Sequence, residues 1–96
     1  MYQKFVITDD GVMRLGCVYL HRDLLADGEY CTHGGGLWKV DRRRGALLLY
    51  GRSFDFGTPE LAYVSRIDWH GAGLEPMPVF FLPHWPDETQ LVPVNV

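Results

Sequence analysis

His33-Gly34-Gly35-Gly36 is the stretch that decides the fold of this 96-residue chain, together with Tyr50-Gly51-Arg52-Ser53-Phe54-Asp55-Phe56-Gly57 one hairpin later. Consecutive glycines have no side chains to pack, so they allow positive φ angles and the close approach of another group. The second run ends an apolar strand and leads into Thr58-Pro59-Glu60, which is typical of a helix start. Free backbone N–H groups and a helix N-terminus there favour an anion-binding turn. Two tight turns and a helix cap would explain the same glycines.

The apolar pattern predicts one α/β domain over residues 1–96. Strands are predicted over residues 3–8, 12–21, 36–40, 46–51, 77–82 and 91–94. Thr58 as N-cap and Pro59 at the first helical position predict one main helix that ends by residue 71, and a shorter helical turn is predicted over 23–28. We therefore expect a mixed sheet of five or six strands, with the main helix on one face and a reduced helix or loop on the other.

Composition excludes several classes of protein. The chain is 47% hydrophobic and 22% charged, which is typical of a folded domain with one modest core. Its net charge of −3 argues against a nucleic-acid partner. No membrane span or signal peptide is predicted, so a cytoplasmic location is expected. Cys17 and Cys31 are expected to be buried or half-buried thiols, and the basic cluster Arg42-Arg43-Arg44 is interpreted as a solvated hairpin tip.

The order of these elements resembles the janus-type protein histidine phosphatases. The resemblance covers residues 3–67 and includes the triple glycine, the hairpin and the Tyr-Gly-x-Ser-x-x-aromatic-Gly turn. Lys4 is similar to a lysine in the family's first strand, and His21 in Tyr19-Leu20-His21-Arg22-Asp23 is similar to its catalytic histidine. The resemblance implies a metal-independent phosphatase, without a cofactor, that acts on phosphohistidine or a related phosphoramidate in a protein or peptide.

The expected site combines an imidazole with a cradle for a phosphoryl group. His21 would act as nucleophile or as acid/base, because an imidazole titrates near neutral pH. The residues expected to bind substrate, through an ammonium group, a hydroxyl and backbone N–H groups, are Lys4, Ser53, Phe54 and Asp55. The structural glycines would be Gly34, Gly35, Gly36, Gly51 and Gly57. No metal site is expected from the spacing of the histidines. Alternatively, His21 is only bonded to a neighbouring carbonyl.

Three positions depart from the family's pattern. Leu37 stands where an arginine usually follows the triple glycine, Asp55 replaces a small apolar residue, and Leu61 stands at the place of an auxiliary histidine. A carboxylate beside a bound phosphate is repulsive unless it points away or pairs with a cation such as Arg52. These departures favour a second hypothesis, a non-catalytic module that binds phosphate, a phosphopeptide or a partner protein.

Overall fold

Seven strands form one mixed sheet in a computed structural model that describes residues 1–96. The strands are β1 (Tyr2–Ile7), β2 (Val12–Val18), β3 (Gly35–Asp41), β4 (Ala46–Tyr50), β5 (Arg66–Ile67), β6 (Val79–Phe81) and β7 (Val92–Pro93). Their order across the sheet is β5-β2-β1-β3-β4-β6-β7. The pairs β2–β5 and β4–β6 are parallel, and the other pairs are antiparallel. The strand that carries the triple glycine therefore lies directly beside β1.

Apolar side chains are buried on both faces of the sheet. The main core gathers alternate residues of the central strands with residues from the segment 61–74: Phe5, Ile7, Met13, Leu15, Trp38, Leu47, Leu49, Val64, Ile67 and Val79. A smaller core on β4 contains Ala46 and Leu48, packed with Leu82. Ala46 to Leu49 are all buried, as the unbroken apolar run predicts for a strand that is covered on both sides.

The main helix predicted from Thr58 does not form, and the predicted strand number is also wrong. The segment contains a 3₁₀ turn (Leu61–Tyr63), strand β5 and a one-turn helix α1 (Trp69–Ala72). Ser65 N–H donates to the Gly11 carbonyl at 2.8 Å, which holds the chain extended along the edge of β2. This pairing adds the seventh strand. Asp68, not Thr58, caps a helix, because its carboxylate accepts from Gly71 N–H at 3.0 Å.

The short helical turn expected after the second strand begins at His21. Strand β2 ends at Val18 rather than at His21, and a 3₁₀ turn covers His21–Leu24. Leu20 N–H donates to the Asp23 carboxylate at 3.2 Å, which fixes the start of this turn. The turn packs over Gly16, where a Cβ would lie 2.8 Å from Cδ2 at the flexible end of the Leu24 side chain.

The two thiols differ in exposure. Cys17 is exposed, so the expectation that it is buried or half-buried is wrong, whereas Cys31 is half-buried. Burial raises the pKa of the Cys31 thiol.

No helix of the protein has both the length and the apolar character needed to cross a membrane.

Candidate functional site

His21 lies against the triple-glycine strand with one ring nitrogen bonded and the other free. Its Nε2 is 2.8 Å from the carbonyl oxygen of Gly36, and the residue is 5% exposed. A carbonyl oxygen only accepts, so Nε2 carries the hydrogen and Nδ1 keeps its lone pair. Nδ1 has no hydrogen-bond partner within the protein, and it is not fully buried, so it retains contact with solvent. The ring is held in the tautomer that presents Nδ1 as a base or nucleophile.

The triple glycine holds both this ring and the predicted phosphate turn. A Cβ on Gly35 would lie 3.2 Å from His21 Cδ2, and one on Gly36 would lie 3.1 Å from the Gly51 carbonyl oxygen. Gly35 N–H also donates to the Gly57 carbonyl at 3.3 Å. Both ends of the segment Gly51 to Gly57, called the 51–57 loop below, are therefore seated on the glycines that hold His21.

Ser53 organises the 51–57 loop from within. Its N–H donates to the Gly57 carbonyl at 3.1 Å, and Gly57 N–H donates back at 2.8 Å. Its hydroxyl oxygen accepts from Phe56 N–H at 3.1 Å, and the residue is 1% exposed. The N–H groups of Phe54 and Asp55 have no partner within the chain, so they are two of the backbone donors that the loop leaves unpaired. The Phe54 side chain is 96% exposed.

Lys4 brings its ammonium group to the same side of the sheet. Its Nζ donates to the carbonyl of Tyr19, two residues before His21. Residues paired across a ladder share a face, so Lys4, Gly16 and Leu37 all lie on the face against which the His21 turn packs. Leu37, which stands at the family's arginine position, therefore lies beside Lys4 and adds no charge there.

The environment of His21 favours the neutral form of its ring by lowering its pKa. Desolvation by burial lowers the pKa of His21, and the positive charge of Lys4 lowers it further. The hydrogen bond to Gly36 and the negative charge of Asp55 act in the opposite direction. Asp55 is exposed and makes no ion pair with Arg52. Its carboxylate is therefore a free negative charge whose field reaches the imidazole.

We expect the two charges to move the pKa of His21 in opposite directions. Lys4→Met should raise this pKa because it removes a positive charge, and Asp55→Asn should lower it because it removes a negative one. NMR titration of the imidazole ring protons measures both changes. Arg42→Met, at the distant hairpin tip, is the control and should leave the pKa unchanged. If Lys4→Met and Asp55→Asn shift the pKa in the same direction, the charges do not act on the ring as described.

The third departure, Leu61, lies outside this site. Leu61 is half-buried and packs against the main core, so an apolar side chain suits its surroundings.

Sequence patterns also miss the Tyr19 carbonyl that anchors Lys4, because a backbone oxygen leaves no residue-type signal. No cluster of three or more His, Cys, Asp or Glu side chains is placed to hold a metal ion.

A separate charged cleft lies at the hairpin tip between β3 and β4. Its volume is about 640 Å³, and its lining residues are Lys39, Val40, Asp41, Arg42, Arg43, Arg44 and Glu88. Glu88 accepts from Lys39 at 2.7 Å and from Arg44 at 2.9 Å, and Arg44 also pairs with Asp41. The lining carries four positive and two negative side chains, and Arg42 and Arg43 are exposed to solvent without an ion pair. We assign the cleft a structural role at the solvated hairpin tip. The three arginines are exposed, as the interpretation of a solvated tip predicts.

No protein-family model, no curated protein and no solved structure matches this chain. The function therefore has to be inferred from the residues of the site and from their geometry.

Proposed function

We propose that this protein is a metal-independent phosphatase that hydrolyses phosphohistidine, or a related phosphoramidate, in a protein or peptide. The supporting observation is the state of His21. Gly36 fixes the tautomer of the ring, Nδ1 is free, and the adjacent Gly35 anchors the 51–57 loop with its unpaired N–H groups. The imidazole that would act as base or nucleophile and the N–H groups that would bind phosphoryl oxygens are therefore both positioned by the triple glycine. Phosphoryl transfer requires such positioned groups.

Each group has a defined part in this reaction. Nδ1 of His21 either attacks phosphorus or takes the proton of an attacking water, and the lowered pKa keeps it unprotonated for both roles. The Lys4 ammonium and the free N–H groups of Phe54 and Asp55 bind the phosphoryl oxygens, whose charge is spread in the transition state. In both cases the P–N bond of the substrate breaks and its electron pair remains on the leaving nitrogen. Where Nδ1 is the nucleophile, the phosphoryl group passes to Nδ1, and a water molecule then bonds to phosphorus while the new P–N bond breaks and returns its electron pair to Nδ1.

A non-catalytic module that binds phosphate or a phosphopeptide is the second candidate. It is favoured because several of the expected donors are already engaged. The Ser53 hydroxyl and N–H groups bond within the loop, Lys4 bonds to the Tyr19 carbonyl, and Leu37 supplies no second cation. Such a site would bind an anion through the remaining donors without turning it over.

Two measurements on the wild-type protein separate these candidates. Release of inorganic phosphate from a phosphohistidine peptide, followed by ³¹P NMR in the presence of a chelator, tests turnover. Titration with inorganic phosphate, followed through the backbone amide signals of Phe54 and Asp55, tests binding. Phosphate release supports the enzyme, whereas amide shifts without release support the binding module. Absence of both would leave neither proposal standing.

Lys4→Ala should reduce transition-state stabilisation, measured as kcat/KM for phosphohistidine, by about 2–4 kcal/mol, if the ammonium acts as one preorganised donor to the phosphoryl group. Both KM and kcat should change, since the charge contacts the substrate and the transition state. Steady-state kinetics on a phosphohistidine peptide measure the loss. Arg42→Ala removes an exposed cation at the distant hairpin tip and is the matched control. A similar loss in both variants would mean that only the overall charge matters.

A further inference from the structure

Leu37 belongs to neither apolar core, although it lies on a central strand of the sheet. It is half-buried, and neither core includes it among its buried residues or among the partly buried side chains packed against them. Its partners across the ladder are Lys4 on β1 and Tyr50 on β4, so these three side chains share one face of the sheet. A Cβ on Gly51 would lie 3.5 Å from Leu37 Cδ1, so Leu37 also contacts the start of the 51–57 loop. An apolar surface therefore begins directly beside the proposed phosphoryl site.

Tyr50 and Trp85 continue this surface as a stacked aromatic pair. Their ring centroids are 3.9 Å apart and their planes differ by 18°. Trp85 remains 42% exposed, although the Lys39 ammonium also lies 4.8 Å from the centroid of its ring. Glu88 accepts from Lys39 at 2.7 Å, so the cation beside Trp85 is neutralised. Below, the three side chains Leu37, Tyr50 and Trp85 are called the apolar row.

The apolar row runs across the strands away from Lys4, which would bind the phosphoryl group. Neighbouring strands lie about 4.8 Å apart, so Lys4 and Tyr50, two strands away from each other, are separated by about 10 Å. An extended chain advances about 3.3 Å per residue and covers that distance in about three residues. An apolar side chain there would remove apolar surface from water, whereas a charged one would lose hydration without gaining an unpaired partner charge.

We propose that the apolar row binds the substrate polypeptide beside its phosphorylated residue and selects segments with an aromatic or large aliphatic side chain about three residues away. The proposal rests on the proposed phosphatase function and adds the part of the substrate that is recognised outside the phosphoryl group. The selected side chain packs on Leu37 and on the exposed part of Trp85. An arginine at position 37 would place a charge in the middle of this surface, so the leucine has a function of its own in this chain.

The test compares phosphohistidine peptides that differ at one position. One peptide has only glycine and serine around the phosphohistidine, and two others carry a phenylalanine at the third position before or after it. The wild type should hydrolyse one of the phenylalanine peptides with a kcat/KM about tenfold higher than that for the glycine–serine peptide. The indole N–H signal of Trp85 should shift on addition of that phenylalanine peptide and not on addition of the glycine–serine peptide.

Variants of the apolar row should change this preference. Trp85→Ala and Leu37→Ser should each remove most of it, whereas Trp85→Phe keeps an aromatic ring and should retain most of it. Tyr30→Ala is the control, because Tyr30 is an equally large aromatic side chain that is 72% exposed and lies outside the row. The carbonyl of Tyr30 accepts from Asp9 N–H beyond the other end of β1. Urea unfolding of each variant shows whether a lost preference reflects a lost fold.

The outcomes separate this proposal from the proposed function. If the wild type hydrolyses all three peptides with the same kcat/KM, or if folded Trp85→Ala and Leu37→Ser keep the preference, the apolar row does not bind the substrate and the phosphatase function stands. Shifts of the Phe54 and Asp55 amides without a shift of the Trp85 indole would also overturn the proposal and leave the phosphoryl site in place. If the wild type releases phosphate from none of the peptides, the phosphatase function fails and this proposal fails with it.

Discussion

His21→Gln is expected to reduce phosphohistidine hydrolysis by a factor of about 10²–10⁴ or more, because it removes the acid–base or nucleophilic nitrogen. The glutamine amide keeps an N–H donor for the Gly36 carbonyl, so the hydrogen bond that seats the 3₁₀ turn has a replacement. His21→Ala should be equally inactive. It should also be less stable by about 1–3 kcal/mol, since a buried ring is lost together with its hydrogen bond to the Gly36 carbonyl. Phosphate release by ³¹P NMR and urea unfolding measure the two effects separately.

His70→Ala is the matched control for this experiment. His70 is exposed on α1, and no side-chain hydrogen bond or ion pair involves it. Its removal should leave both activity and stability close to the wild-type values. Wild-type activity in His21→Gln would exclude His21 from the chemistry and remove the enzyme hypothesis. An inactive wild type that still binds inorganic phosphate would favour the binding module.

The sheet could be predicted from the sequence because strand signals are local and repeat every two residues. β1 and β4 are found where their apolar runs predict them, and β4 is buried on both faces. The helix at Thr58 could not be predicted correctly by the same means. Its signal, a threonine followed by a proline, is also local, whereas the pairing of β5 with β2 joins residues far apart in sequence. That non-local pairing determines the structure of the segment.

The site shows the same division between local and non-local information. Lys4, His21 and the 51–57 loop are far apart in the sequence, and no local pattern links them. Only the resemblance to the histidine phosphatases predicts that they lie close together. The features that fix the tautomer of His21 and the position of the Lys4 ammonium are contacts with backbone atoms, namely the Gly36 carbonyl at Nε2 and the Tyr19 carbonyl at Nζ. Any residue supplies a carbonyl, so the tautomer of His21 and the position of the ammonium leave no trace in residue types.

Gly34→Ala should have the largest effect on stability, because Gly34 combines a positive φ with a backbone contact. Its φ is +77°, and an added Cβ would lie 2.1 Å from the Thr58 carbonyl oxygen. Gly28 has nearly the same φ of +76° but nothing within 4 Å of its added Cβ. Gly28→Ala therefore reports the left-handed conformation alone, at about 1–2 kcal/mol.

The two variants differ in their loss of unfolding free energy, and this difference measures the effect of the close contact between Thr58 and the triple glycine. Gly34→Ala should lose about 4 kcal/mol or more in the free energy of unfolding, since two backbone segments must separate. A loss of that size is a large part of the total stability of a small domain, so the variant is expected to be partly unfolded at 25 °C. Urea unfolding followed by circular dichroism measures both variants. Equal losses would show that Thr58 does not lie against Gly34. In that case strand β3, which His21 and the 51–57 loop both contact, would lack the support described for it.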